Sequence, residues 1–146
     1  MNSRKLLPLC VVAAAVLLSA AAPAQAADGG RSLSATLTGA AEVPGPGDPD
    51  GSGTAVIRVN PGQGEVCFVL TVSDIAAAVA AHIHVGAVTQ AGPVVVGLTP
   101  ASSGSSSGCA PLSRELAIAI IQDPENYYVN VHTSEFPAGA VRGQLS

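Results

Sequence analysis

The chain has 146 residues, ten acidic against six basic, and a formal net charge of −4. That length fits one domain, and a chain so poor in cations is excluded as a nucleic-acid or anionic-membrane binder, because it has little with which to neutralise phosphates. Only 3% of the residues are aromatic, so a core has to be built from Val, Ile, Leu and Ala, which favours many thin strands packed closely.

The first segment reads as a targeting signal. Arg4 and Lys5 precede an apolar run from Leu6 to Ala22, broken only by Pro8 and Ser19. Pro23 and the small-residue triplet Ala24-Gln25-Ala26 end it. This is the pattern of a secretory signal peptide cut after Ala26, and the run is short for a membrane-spanning helix. No later segment could span a membrane. Residues 27–31 are expected to be a flexible start and residues 32–146 the folded domain, placed in a secreted or extracytoplasmic compartment. After the cut, four arginines face ten acids, a formal charge of −6. Cys67 and Cys109 remain, and an even count in an exported chain predicts one disulfide between them.

The domain predicts strands separated by turns. Ser32 to Thr38 alternates, with Leu33, Ala35 and Leu37 on one face. Gly45 to Gly53 is rich in Gly, Pro and Asp and reads as turns. Thr54 to Val59 alternates again, and Asn60-Pro61-Gly62-Gln63-Gly64 has the composition of a hairpin turn. Glu65 to Ser73 is a strongly apolar strand. Ile75 to Ala80 reads as a loop or helical turn, Ala81 to Val85 as a strand, and Val94 to Leu98 as another. Thr99 to Gly108 reads as a mobile Ser/Gly loop. Ser113 is placed to cap a helix over 114–122, with Leu116, Ile120 and Ile121 in one stripe and Pro124 stopping it. The end is a hairpin: Tyr127 to Thr133, a turn through Gly139, and Ala140 to Leu145. The fold class is all-β, an antiparallel Greek-key-like sandwich or barrel with one short helix.

All three histidines lie on two of these strands. Side chains on a strand alternate faces, so His82 and His84 share one face and Ile83 and Val85 the other. Likewise Tyr128, Asn130 and His132 share a face opposite Val129 and Val131. In the last strand Arg142 and Gln144 point one way. A hairpin register that aligns them would join Asn130, His132, Arg142 and Gln144 in one polar patch.

Four pieces, in order, carry a family resemblance. They are Leu37-Thr38-Gly39-Ala40-Ala41-Glu42-Val43-Pro44; Ala81-His82-Ile83-His84 with Gly92-Pro93-Val94-Val95 downstream; Tyr127-Tyr128-Val129-Asn130-Val131-His132-Thr133; and Phe136-Pro137-Ala138-Gly139-Ala140-Val141-Arg142-Gly143-Gln144-Leu145. Together the chain from about Ser32 resembles the CHRD (chordin-type) domain, in its single-domain exported microbial form. One departure is Val85, where the family often has glycine or a basic residue. The resemblance implies an antiparallel β-sandwich or barrel, and Cys67 and Cys109 look like the cysteine pair of single-domain bacterial members. It implies no settled activity. The reading is a secreted domain with a binding or structural role and no clear catalysis, its partner an unidentified protein or small ligand.

The alternative is a mononuclear copper- or zinc-binding protein. Two histidines at i and i+2 with a third from another strand make a three-nitrogen site for either metal. His82-Ile83-His84 also looks like the copper-ligand run of copper-zinc superoxide dismutases, but with every histidine used a binuclear site cannot be built. The competing reading is a structural hydrogen-bond network, with Glu42, Asn130, Arg142 and Gln144 as partners. The plainer alternative for Glu42 is an exposed loop acid, and for Arg142 a surface residue. Gly104-Ser105-Ser106-Ser107-Gly108 satisfies Gly-x-Ser-x-Gly without the strand-turn-helix that a nucleophile elbow needs. Asp48, Asp50 and Ser52 open like a calcium loop that lacks its closing glutamate, so a surface turn is expected.

Overall fold

The computed structural model describes residues 29–146. The expected leader over residues 1–26 lies outside them. Eight strands follow in chain order: β1 Arg31–Thr38, β2 Ser52–Asn60, β3 Glu65–Ser73, β4 Ala78–Val85, β5 Val94–Leu98, β6 Ser105–Pro111, β7 Tyr127–Thr133 and β8 Val141–Gln144. One helix, α1 (Arg114–Gln122), lies between β6 and β7. All the strands join one antiparallel sheet in the order β5-β4-β7-β8-β1-β2-β3-β6. The two end strands, β5 and β6, come close to each other, so the sheet curls into a nearly closed barrel. The chain skips from β3 to β4, turns back through β5, crosses to β6 beside β3, and returns through α1 to β7. This is a Greek-key path.

The period-two pattern sorts inside from outside. Leu33, Ala35 and Leu37 of β1, Ala55, Ile57 and Val59 of β2, and Val66, Phe68, Leu70 and Val72 of β3 are all buried in the barrel. Ile83, Val129, Val131 and Val141 complete the core from the other half. β1 and β2 pair without slip from Arg31↔Val59 to Thr38↔Ser52. The β2–β3 hairpin is set by Asn60, whose side-chain oxygen accepts from the backbone N–H of Gly62 and of Gln63 at 3.0 Å each. α1 starts as expected: the Ser113 hydroxyl accepts from Leu116 N at 3.2 Å, and Ala117 and Ile120 enter the core.

Two segments differ from expectation. Ala78–Ala80 is not a loop or helical turn but the first part of β4, paired with β7 through a register shift. Ser105–Gly108 is not a mobile loop but part of β6, paired residue for residue with β3 from Thr71↔Ser105 to Glu65↔Pro111. β6 carries no apolar signal because none of its side chains is buried. The positions opposite the inward-facing Leu70, Phe68 and Val66 are Ser106, Gly108 and Ala110. What holds this strand is its backbone ladder and the disulfide between Cys67 and Cys109, a directly opposed pair. A further tie crosses the seam, where the Ser106 hydroxyl donates to Thr99 O at 2.7 Å.

Residues 45–51 fold back against the chain just after β1 and just before β8. Asp48 N donates to Ala140 O at 2.8 Å and Gly47 N to Gly39 O at 3.1 Å. Asp48 is therefore buried and not at a surface turn.

Candidate metal centre

The site lies on the outer face of β4, β7 and β8, because their inner face is taken by Ile83, Val129, Val131 and Val141. The register builds it in rows. His84, Tyr128 and Gln144 stand side by side, and so do His82, Asn130 and Arg142, while His132 follows one step along β7 opposite Ala80. The hairpin thus brings the expected polar patch onto one side. The three imidazoles converge. Ring centroids are 5.0 Å apart for His82 and His132, 5.5 Å for His82 and His84, and 6.4 Å for His84 and His132. One nitrogen from each ring lies within 4.8 Å of the others.

Backbone carbonyls decide the tautomers. A carbonyl has no proton to give, so a ring nitrogen facing one must carry the hydrogen. His84 Nδ1–H donates to Gly92 O at 2.8 Å, and His132 Nδ1–H donates to Pro137 O at 3.1 Å. Both rings therefore present an Nε2 lone pair to the cluster. His132 Nε2 receives the Nδ1–H of His82 at 3.1 Å. The Asn130 side-chain amide is also 3.1 Å away, and a lone pair there calls for its NH2 rather than its oxygen. His84 Nε2 is buried and has no partner at all. Burial, then the neighbouring His132 and His84 rings, holds His82 below the ordinary histidine range. Burial lowers His132 too, against the opposing pull of the Pro137 carbonyl. Both rings favour the neutral form that a metal requires.

Behind the imidazoles stands a stacked column. His84 lies flat on the Tyr128 ring, 4.8 Å away at 7°, and the Arg142 guanidinium carbon sits 3.4 Å from the centre of that ring. β4 and β8 flank β7 on opposite sides. Arg142 is only 1% exposed, not a surface residue. It lies under the segment after β4: its Nη2 donates to Ala87 O at 2.9 Å and to Gln144 Oε1 at 3.1 Å. Gln144 Nε2 donates in turn to Gly86 O at 2.8 Å and Glu125 O at 2.7 Å. Tyr128 adds a bond, its hydroxyl accepting from Gly92 N at 3.1 Å. Arg142, Gln144 and Tyr128 so fix the residues 86–93 that carry the Gly92 carbonyl.

Glu42 is buried too, at 6% exposure, and is not an exposed loop acid. Its carboxylate packs on Gly139, where φ is +149° and an added Cβ would sit 2.3 Å from it. Burial pushes its carboxyl up to about 7, against smaller opposing pulls from the Arg142 charge and the Val43 N–H. Of the expected residues, the three histidines and Asn130 form the cluster itself. Arg142 and Gln144 support it from behind Tyr128, and Glu42 packs under the 134–140 turn that supplies the Pro137 carbonyl. Tyr128 and the two orienting carbonyls were not anticipated as site groups, although the alternation already put Tyr128 on the histidine face.

The donor set fits a single ion. Zinc or copper held at about 2.0–2.1 Å by three nitrogens needs them no more than about 4.2 Å apart. The nitrogens lie within 4.8 Å of one another, and a pair at that limit would have to close by about 0.6 Å or more to share an ion. Rings whose far nitrogen donates to a carbonyl are oriented as metal-binding histidines are. Comparison with curated proteins and with solved structures gives no match. The CHRD domain profile matches residues 33–145, from β1 through the end of the last strand, and includes every residue of the site. The chain belongs to the CHRD domain family.

Proposed function

We propose that this chain is an extracytoplasmic binding domain whose ligand is one copper or zinc ion held by His82, His84 and His132. Export is supported by the leader pattern in residues 1–26, by the Cys67–Cys109 disulfide and by the family. The observation that carries the metal reading is His84: its Nδ1–H is committed to Gly92 O, and its Nε2 is left buried and unpaired among two other imidazoles. An orphaned buried acceptor costs about 1–3 kcal/mol, and a metal at that nitrogen removes the cost. His82 would contribute Nδ1 as its other neutral tautomer, with the proton now hydrogen-bonded to His132 carried on Nε2 instead. A bound ion supplies Lewis acidity at an open fourth position or, as copper, one-electron chemistry. The protein's part is to fix two rings by carbonyls, favour the neutral form of His82 and His132, and leave those two partly accessible.

A structural network is the rival, favoured by the 3.1 Å bond between His82 and His132. Metal analysis of protein from its native compartment, with melting before and after chelation, separates the two. Near one ion per chain, and a rise in melting temperature on adding copper or zinc that His84→Gln abolishes, is expected. Metal far below one per chain, together with melting unchanged by either ion, would refute the metal centre. Unfolding of metal-free His132→Ala would favour the network.

A further inference from the structure

On the opposite half of the barrel a second set of ligand-type side chains shares one outer face. Glu65 and Cys67 are at i and i+2 on β3, Cys109 is directly opposite Cys67 on β6, and Arg58 is directly opposite it on β2. A carboxylate oxygen of Glu65 and the sulfurs of Cys67 and Cys109 lie within 4.8 Å of one another. Beside them is a cavity of about 340 Å³ whose walls include Arg58, Asn60 and Gln63. Cys109 is exposed and Cys67 partly so. As a disulfide the sulfurs bind nothing.

We propose that reduction of Cys67–Cys109 converts this face into a site for a thiophilic divalent cation, with two thiolates and the Glu65 carboxylate as ligands. The reductant is a dithiol. Its two thiols deliver two electrons and two protons, the protein S–S bond breaks to two thiols, and the dithiol closes to its own disulfide. The incoming cation then displaces the two thiol protons to solvent and forms two metal–sulfur bonds. Charge favours the result. Two thiolates and a carboxylate carry three negative charges, which a divalent ion and the Arg58 guanidinium balance. The β3–β6 ladder holds the two sulfur-bearing residues opposed without the covalent bond. The cavity leaves room for a water as fourth ligand. Thiolate sulfur selects zinc or cadmium over magnesium or calcium. This site is independent of the three histidines, which lie on β4 and β7.

The test uses the whole domain, reduced by a dithiol and freed of it under anaerobic conditions, with cadmium as the probe. Two titratable thiols per chain and retained hydrogen-exchange protection in β3 establish that the starting material is reduced and folded. The expected result is a thiolate-to-cadmium charge-transfer band saturating at one ion per chain. The band should be absent from the oxidised protein and unchanged in His84→Gln, with affinity roughly tenfold lower in Glu65→Gln. No band in the reduced, folded protein, a stoichiometry of one ion per two chains, or an affinity indifferent to Glu65→Gln would each overturn it.

Discussion

Replacing Arg142 by methionine tests the support behind the histidines. The substitution keeps much of the volume but deletes the guanidinium. It removes the bonds to Ala87 O and Gln144 Oε1 and the stack on Tyr128. Hydrogen bonds from a charged donor contribute about 1.5–3 kcal/mol each, and a desolvated cation–π contact about 2 kcal/mol. Against this, the variant no longer buries a cation that is only 1% exposed, which offsets several kcal/mol of the loss. The net expectation is a destabilisation of about 3 kcal/mol. For a folded region of roughly 120 residues, with an unfolding entropy near 0.25 kcal/mol/K, that is a fall of about 12 °C in Tm. The same change frees Ala87 from the site and takes away the bond that steadies Gln144, so the Gly92 carbonyl is held less firmly and copper or zinc affinity falls with stability. Arg142→Lys keeps the charge without the planar fork and should recover less than half of the loss. Differential scanning calorimetry and metal titration on the three proteins are the measurements. A Tm for the methionine variant within about 3 °C of wild type, with unchanged metal affinity, would refute the account of Arg142 as the clamp on residues 86–93.

Two further outcomes follow from the same geometry. The disulfide joins residues 42 apart in sequence, and closing such a loop stabilises by about 3–4 kcal/mol on chain-entropy grounds. Paired Cys67→Ala and Cys109→Ala should therefore lower Tm by on the order of 10 °C, and two free thiols in the exported wild type, found by mass spectrometry, would contradict the bond itself. The pH dependence of the metal-free protein should contain two opposed slopes. Glu42 is raised from 4.5 to about 7, so its contribution to stability is present below 4.5 and is lost as pH rises through 7. His82 and His132 are lowered from 6.5, so theirs is present above 6.5 and is lost as pH falls through their depressed values. Glu42→Gln removes the first slope and should leave stability that only rises with pH across the histidine window. Urea titrations at a series of pH values that superimpose for wild type and Glu42→Gln would count against this assignment.

Much of the architecture was legible because alternation is a strong signal wherever one face is packed. Val66, Phe68, Leu70 and Val72 mark β3, and Tyr127 to Thr133 marks β7, with the observed bounds of both strands matching those read from the sequence. β6 was illegible for the converse reason: Ser106, Gly108 and Ala110 face the interior without filling it, so no apolar period appears. The pairing of Cys67 with Cys109 was the available clue, since a cross-strand disulfide from the middle of a strand places another strand beside it. At the site, sharing of a face by His82 and His84, and by Asn130 and His132, could be read from period two. Their convergence across β4 and β7 could not, because register between strands distant in sequence is not written in either strand alone. The burial of Arg142 was not legible because it stands on the outer face of β8, and that of Glu42 because it lies in the connection between β1 and β2. The loops that cover them, residues 45–51, 86–93 and 134–140, look like solvent-facing turns by composition.

The seam between β5 and β6 gives the barrel a further property. An open sheet ends in two rows of unpaired N–H and C=O groups, each a template for a strand from another molecule. Here the two rows are turned toward one another, and one is built of serine and glycine with no buried side chain. A strand added there would gain backbone bonds but almost no apolar contact. The weak-looking segment thus offers little to a strand from another molecule, and the β3–β6 ladder together with the Cys67–Cys109 bond holds it along that edge.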